Sequence, residues 1–180
     1  MYLSRVAKFE KVSYEQFKKD WVDTFPHKFN ELDEDVIDNI VRNIYDSIKL
    51  PQRATSGSAG YDFFCPSHLH IVTNEVAKIP TGIRCHMATG CVLQCYPRSG
   101  HGFKYGMHLA NTVGIIDQDY YGSDNEGHIF IKLVNDSVLS GTINLKAGDA
   151  FCQGILIPYG ITVDDNVDEV RNGGFGSTDK

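Results

Sequence analysis

Nowhere along the 180 residues does an uninterrupted apolar run approach the roughly 20 positions a helix needs to cross a bilayer. The amino terminus, MYLSRVAKFEKVSYEQFKKDW, carries charges every few positions and lacks the apolar stretch of a secretory leader. Positive charge is scarce too: 17 Lys and Arg stand against 23 Asp and Glu, a net charge of -6, and no basic cluster is dense enough to follow a phosphate backbone. Membrane and nucleic acid are therefore excluded as expected partners, and a cytoplasmic location is expected. No Cys-x-x-Cys pair occurs among the five cysteines (65, 85, 91, 95 and 152). Their odd number, without a leader, favours reduced thiols, read here as small core hydrophobes. The seven histidines show no spacing suited to zinc.

What is present suffices for one core of ordinary size and is too short for two comfortable domains. Residues 13 to 50 read as helix. Ser13 and Gln16 have capping-box spacing, with Phe17, Trp21 and Phe25 on one stripe behind them. A second helix follows the acidic turn Asp33 to Asp35, where Val36, Ile37, Ile40, Val41, Ile44, Tyr45 and Ile48 recur at helical spacing and stop before Pro51. The pair reads as a helical hairpin at residues 1–50, expected to pack on the rest or to offer a surface to a protein partner through residues 13–50.

After Pro51 the pattern changes to short β-type runs separated by Gly, Pro, Asn and Asp: HLHIVT, GCVLQCYP, TVGII, HIFIKLVN, GTINL and DAFCQGILI. Such runs, with no helical stretch between them, predict an all-β antiparallel sandwich or barrel over 51–170. The closing DDNVDEVRNGGFGSTDK has too little apolar surface to fold alone, so it is expected to be disordered or to dock on something.

Five stretches are poorly explained as sandwich filler: GSAGYDFF (57–64), YPRSGHGFK (96–104), NTVGIIDQDYYG (111–122), AGDAFCQGIL (147–156) and RNGGFGSTD (171–179). Each alone is ordinary turn chemistry. In this order and at these distances they closely resemble the five motifs of the trimeric deoxyuridine triphosphatases (dUTPases), over residues 51–180. The resemblance implies a jelly-roll-like β-barrel, a homotrimer whose active sites are shared between chains, Mg2+, and hydrolysis of dUTP to dUMP and pyrophosphate. It also implies that residues 171–180 close over a neighbour's pocket.

Carried over residue by residue, the resemblance makes Asp117 the catalytic carboxylate, orienting a water for in-line attack on the α-phosphorus and accepting its proton. Carboxylates are weak bases at neutral pH, so alignment is expected to matter as much as proton abstraction, which is worth on the order of 10^2 to 10^4 in rate. Arg98, Ser99 and Gly100 match the phosphate loop, supplying charge, a hydroxyl donor and close backbone approach. Gln153 would donate its amide to a phosphate oxygen. Asn111, with the backbone of Ile115 and Ile116, would read the uracil edge, and Tyr120 would pack beneath the deoxyribose where a 2'-hydroxyl would clash. Arg171, Ser177 and Thr178 would hold the distal phosphates, and Phe175 would stack over the uracil. Asp62 would reach Mg2+ through water, because that ion keeps its waters and usually meets proteins through one or two carboxylates. Asp119 is read as structural, a turn carboxylate or ion-pair partner.

Several positions depart from the family pattern. The terminal motif is one residue short between Arg171 and Phe175, Ala150 stands where a basic residue is usual, and Tyr121 where arginine is common. The stretch SDNEG after Gly122 is about five residues longer than the usual turn and is expected to bulge from the surface. Two other functions share much of this pattern: a dCTP deaminase-type enzyme, with the same fold but acting on cytosine, and a dUTP-sensing regulatory protein that signals through its hairpin. If the hairpin only packs, removing residues 1–50 is expected to leave hydrolysis largely intact.

Overall fold

The computed structural model describes residues 4–136, 141–169 and 171. Its first element is a strand, β1 (Ala7–Lys11). Two helices follow, α1 (Tyr14–Thr24) and α2 (Glu34–Ser47), joined by a 3-10 turn at Pro26–Lys28. Ser13 caps α1 through its side chain, which accepts from the Gln16 N–H at 3.1 Å. The reciprocal half of the capping box is replaced: the Gln16 amide donates to Asp20 at 2.8 Å, and the Ser13 N–H goes to Glu126 at 2.7 Å. Phe17 and Trp21 are fully buried and Phe25 partly so, as their spacing predicts. On α2, Ile37 and Val41 are buried, whereas Val36 and Ile40 remain 43% and 38% exposed, so the apolar arc is wider than the face that packs.

The β region comprises β2 (Tyr61–Phe64), β3 (Leu69–Ile71), β4 (Glu75–Pro80), β5 (Ile83–Met87), β6 (Cys91–Pro97), β7 (His108–Leu109), β8 (Gly114–Ile116), β9 (Phe130–Asn135), β10 (Ile143–Leu145) and β11 (Ala150–Pro158). All pairings are antiparallel among the described residues. A four-stranded sheet has the order β2-β11-β6-β8 and a three-stranded sheet the order β4-β9-β7; β1 pairs with β5, and β10 with β3. Inward residues of these sheets, Phe63, Leu93, Leu133 and Phe151 among them, form one continuous buried cluster that includes Phe17 and Trp21 of α1. Cys65, Cys85, Cys95 and Cys152 belong to it, and burial pushes the Cys65 and Cys85 thiols up to about 12. Among the described residues no helix is long and apolar enough to cross a membrane.

Three expectations are corrected. The β region is not free of helix: Ser99–Tyr105 forms α3, whose Ser-Gly-His-Gly start has low helix propensity and gives no periodic signal; it stops at Gly106 in a left-handed conformation. The SDNEG insertion does not bulge. Ser123 is 5% exposed, its hydroxyl donates to Tyr120 O at 2.7 Å, and the Glu126 carboxylate accepts from both the Ser13 N–H and hydroxyl. Gly127 permits this inward path, with φ of 71°; a Cβ there would lie 2.7 Å from Tyr121 Cα. Nor is the hairpin a detachable layer. With Phe17, Trp21 and Val41 at 0–1% exposure inside the common core, removing residues 1–50 would open that core, so hydrolysis is not expected to survive the deletion.

Candidate active site

The turn between β7 and β8 and the turn after β8 frame one cavity of about 740 Å³. Asn111, Ile115, Ile116, Asp117 and Tyr120 line it, together with Arg171. Among the described residues β8 is the edge strand of its sheet and pairs with β6, an edge of the kind a ligand's hydrogen-bonding groups can meet. Thr112, in a left-handed conformation with φ of 64°, turns the chain from β7 into β8. Asp117 sits at the end of β8, just before the 3-10 turn Gln118–Gly122, whose first backbone bond runs from the Tyr120 N–H to Asp117 O at 3.2 Å. The Tyr120 ring is 4% exposed, and burial pushes its hydroxyl up to about 12.

Arg171 spans both carboxylates of this turn: its Nη2 lies 2.5 Å from Asp117 Oδ2 and its Nε 3.0 Å from Asp119 Oδ1. Asp119 thus has the ion-pair role read from the sequence. Arg171, expected at the distal phosphates, lies instead on the carboxylate assigned to catalysis within its own chain.

A second cavity of about 760 Å³ gathers Asp62, Arg98, Ser99, Gly100 and Gln153. Asp62 on β2 and Gln153 on β11 are direct cross-strand partners, so the first and fourth motifs meet through sheet register. Arg98 precedes α3 and pairs its Nε with Asp62 Oδ1 at 3.0 Å. The Gln153 amide donates to Pro97 O at 3.2 Å. Gly60 makes room for it, since a Cβ there would lie 2.5 Å from Gln153 Oε1. No residue is common to the two cavity linings.

Lys104, the lysine of the YPRSGHGFK stretch, also lines the second cavity, with His101 and Tyr105, which no sequence pattern marks because α3 carries no periodic signal. Burial and the neighbouring Arg98 push His101 below its usual value. Among the described residues no three His, Cys, Asp or Glu side chains cluster closely enough to hold a metal. Phe175, Ser177 and Thr178 lie outside the described residues. Just before them, residues 159–169 run without strand or helix, with Ile161, Val163 and Val167 strongly exposed.

Known proteins of one family are similar to this chain. The dUTPase family model matches residues 46–179. The deoxyuridine 5'-triphosphate nucleotidohydrolase of Lactococcus lactis subsp. lactis is 40% identical over 134 residues, covering 73% of this chain and 88% of that protein. The enzyme of the same name from Desulfitobacterium hafniense is 38% identical over 140 residues, covering 72% and 87%. Among solved structures, the dUTPase from Streptococcus mutans superposes with a TM-score of 0.60 at 30% identity, over 87% of this chain and 98% of that one. A mutant dUTPase from phage phi11 of S. aureus, described with a coordinated structural Mg(II) ion, shares the fold at 23% identity and a TM-score of 0.57, over 69% and 92%. With a family match over most of its length and relatives this similar, the chain belongs to the dUTPase family.

Proposed function

We propose that this chain hydrolyses dUTP to dUMP and pyrophosphate at sites assembled between copies of itself. The observation that carries the reading is the split of the motif residues between two cavities with no lining residue in common. One cavity offers a base edge, a sugar platform and a carboxylate. The other offers an arginine, a serine, a glycine and an amide suited to phosphate oxygens. Each is half of a nucleotide site, and apposing the first cavity of one chain with the second of another supplies the whole. A homotrimer closes such head-to-tail contacts into a ring. The exposed Ile161, Val163 and Val167 give the carboxy-terminal segment apolar surface to bury on a neighbour.

In this reading Asn111 and the outer edge of β8 hold uracil, and the Tyr120 ring packs beneath the deoxyribose. Arg98, Ser99 and Gln153 hold the phosphates. Asp117 orients a water in line with the α-phosphorus; the water oxygen bonds to phosphorus, the bond to the bridging oxygen breaks, pyrophosphate leaves, and the proton passes to the carboxylate. Arg171, on Asp117 and Asp119 here, fixes the carboxylate's orientation, and its guanidinium is suited to exchange one partner for a phosphate oxygen.

Mg2+ fits this donor set in one manner. With no chelating cluster among the described residues, Asp62 is the carboxylate that would hold it, through water, while substrate phosphate oxygens would supply the direct contacts. Bound there, the ion neutralises phosphate charge and polarises the phosphoryl oxygens. A cytoplasmic location suits the five free thiols.

The test is to incubate the full chain and Mg2+ with each deoxynucleoside triphosphate in turn, following pyrophosphate and ammonia. Pyrophosphate from dUTP alone is expected. Ammonia from dCTP, or dUTP left intact, would overturn the assignment.

A further inference from the structure

The insertion after Gly122 closes over the hydroxyl end of Tyr120. Asn125 Nδ2 donates to the Tyr120 hydroxyl at 2.7 Å, and that hydroxyl donates to His128 O, also at 2.7 Å. The directions are forced by chemistry: a carbonyl only accepts, so the phenolic proton points at His128 and the remaining lone pair must take a proton from an amide. Asn125 is held in turn, its Oδ1 lying 2.9 Å from Ser123 Oγ.

The clamp is anchored at two further points. Glu126 stands in a left-handed conformation, φ of 58°, unusual for a residue with a side chain, and its carboxylate is tied to Ser13 at the start of α1. His128 is fully buried; its Nε2 accepts the Gly82 N–H at 2.8 Å, so its ring proton lies on Nδ1, 2.5 Å from Asp20 Oδ2 on α1. The insertion thus holds the Tyr120 hydroxyl directly, and the amino-terminal helices hold the insertion and His128 in turn.

We infer that Asn125 is a positioning residue which, by fixing the Tyr120 ring, sets the discrimination between deoxyribo- and ribonucleotides. This rests on the reading of Tyr120 as the platform beneath the sugar. An apolar surface rejects an added hydroxyl by contact alone, a discrimination worth only about a hundredfold, and it survives only while the surface is held in place. With Asn125 removed, the ring end keeps the His128 carbonyl but loses the amide that fixes its hydroxyl, and is held less firmly beneath the sugar.

The test uses the full chain with Mg2+ and compares kcat/KM for dUTP and UTP in the wild type, Asn125→Ala, Tyr120→Phe, the double variant and Tyr120→Ala. The ratio of the two constants does not depend on how much of a preparation is folded, so partial instability cannot imitate the effect. Asn125→Ala and Tyr120→Phe are each expected to raise the UTP-to-dUTP ratio about tenfold, and the double variant no further. If Tyr120→Ala relaxes selectivity and Asn125→Ala does not, or if the two effects multiply in the double variant, the inference is overturned. If Tyr120→Ala leaves selectivity unchanged, the sugar-platform reading itself fails.

Discussion

Glu126 accepts two hydrogen bonds from one residue, the backbone N–H of Ser13 at 2.7 Å and its hydroxyl at 2.6 Å, across 113 positions of sequence. The contact joins the start of the amino-terminal helices to the insertion that follows the turn carrying Asp117 and Tyr120. It also makes a pH dependence. Burial raises the Glu126 carboxyl, but the two Ser13 hydrogen bonds outweigh it and hold the group below the usual carboxylate value.

A carboxylate held down in this way stabilises the fold fully above its unfolded value, and the contribution is lost as pH falls through the folded value. Asp20, lifted by burial and lowered further by hydrogen bonds from His128 and Gln16, acts in the same direction. Denaturant unfolding at a series of pH values should show stability declining below about pH 4.5. In Glu126→Gln the neutral-pH stability should be lower and the acid decline shallower. An unchanged acid slope in that variant would remove Glu126 from the account.

Trp21 gives a larger effect. Its side chain is fully buried and its ring centroid lies 5.3 Å from that of Phe17, within the cluster shared with the β sheets. Trp21→Ala should cost about 3–5 kcal/mol of stability, read by chemical denaturation of the full chain. A chain lacking residues 1–50 should fail to fold cooperatively. A soluble truncated protein with normal dUTP turnover would show that the helices do not belong to the core.

Much of this architecture was legible in the sequence. α2 was readable from its six apolar positions, and β6 and β11 from compact apolar runs between turns. The motif residues were legible as types, and sheet register brought Asp62 beside Gln153. What was hidden depends on distant partners. β1 lies in the charged stretch AKFEK and becomes a strand only by pairing with β5. α3 contains two glycines and has no apolar stripe, so tertiary context, not propensity, makes it helical. SDNEG is as polar as any surface loop; its inward path, with Ser123 and Gly127 buried, goes with Ser13 satisfying Glu126, a match no local pattern marks.

Asp117→Asn keeps the shape of the side chain and removes its capacity to take a proton. Turnover of dUTP should fall at least ~100-fold while nucleotide binding persists, measured as single-turnover pyrophosphate release beside equilibrium titration with a non-hydrolysable dUTP analogue. Near-normal turnover would remove the carboxylate from the reaction.

The central claim, that an Asp117 cavity of one chain works with an Arg98 cavity of another, is tested most directly by complementation. Asp117→Asn and Arg98→Ala chains, each expected to be nearly inactive, are unfolded together in equal amounts, refolded, and assayed for pyrophosphate release from dUTP. Random assembly of shared sites would place both intact residues at about a quarter of them, so activity should return to about that fraction of wild type. A mixture as inactive as its two parents would contradict the shared site and place the whole reaction within single chains.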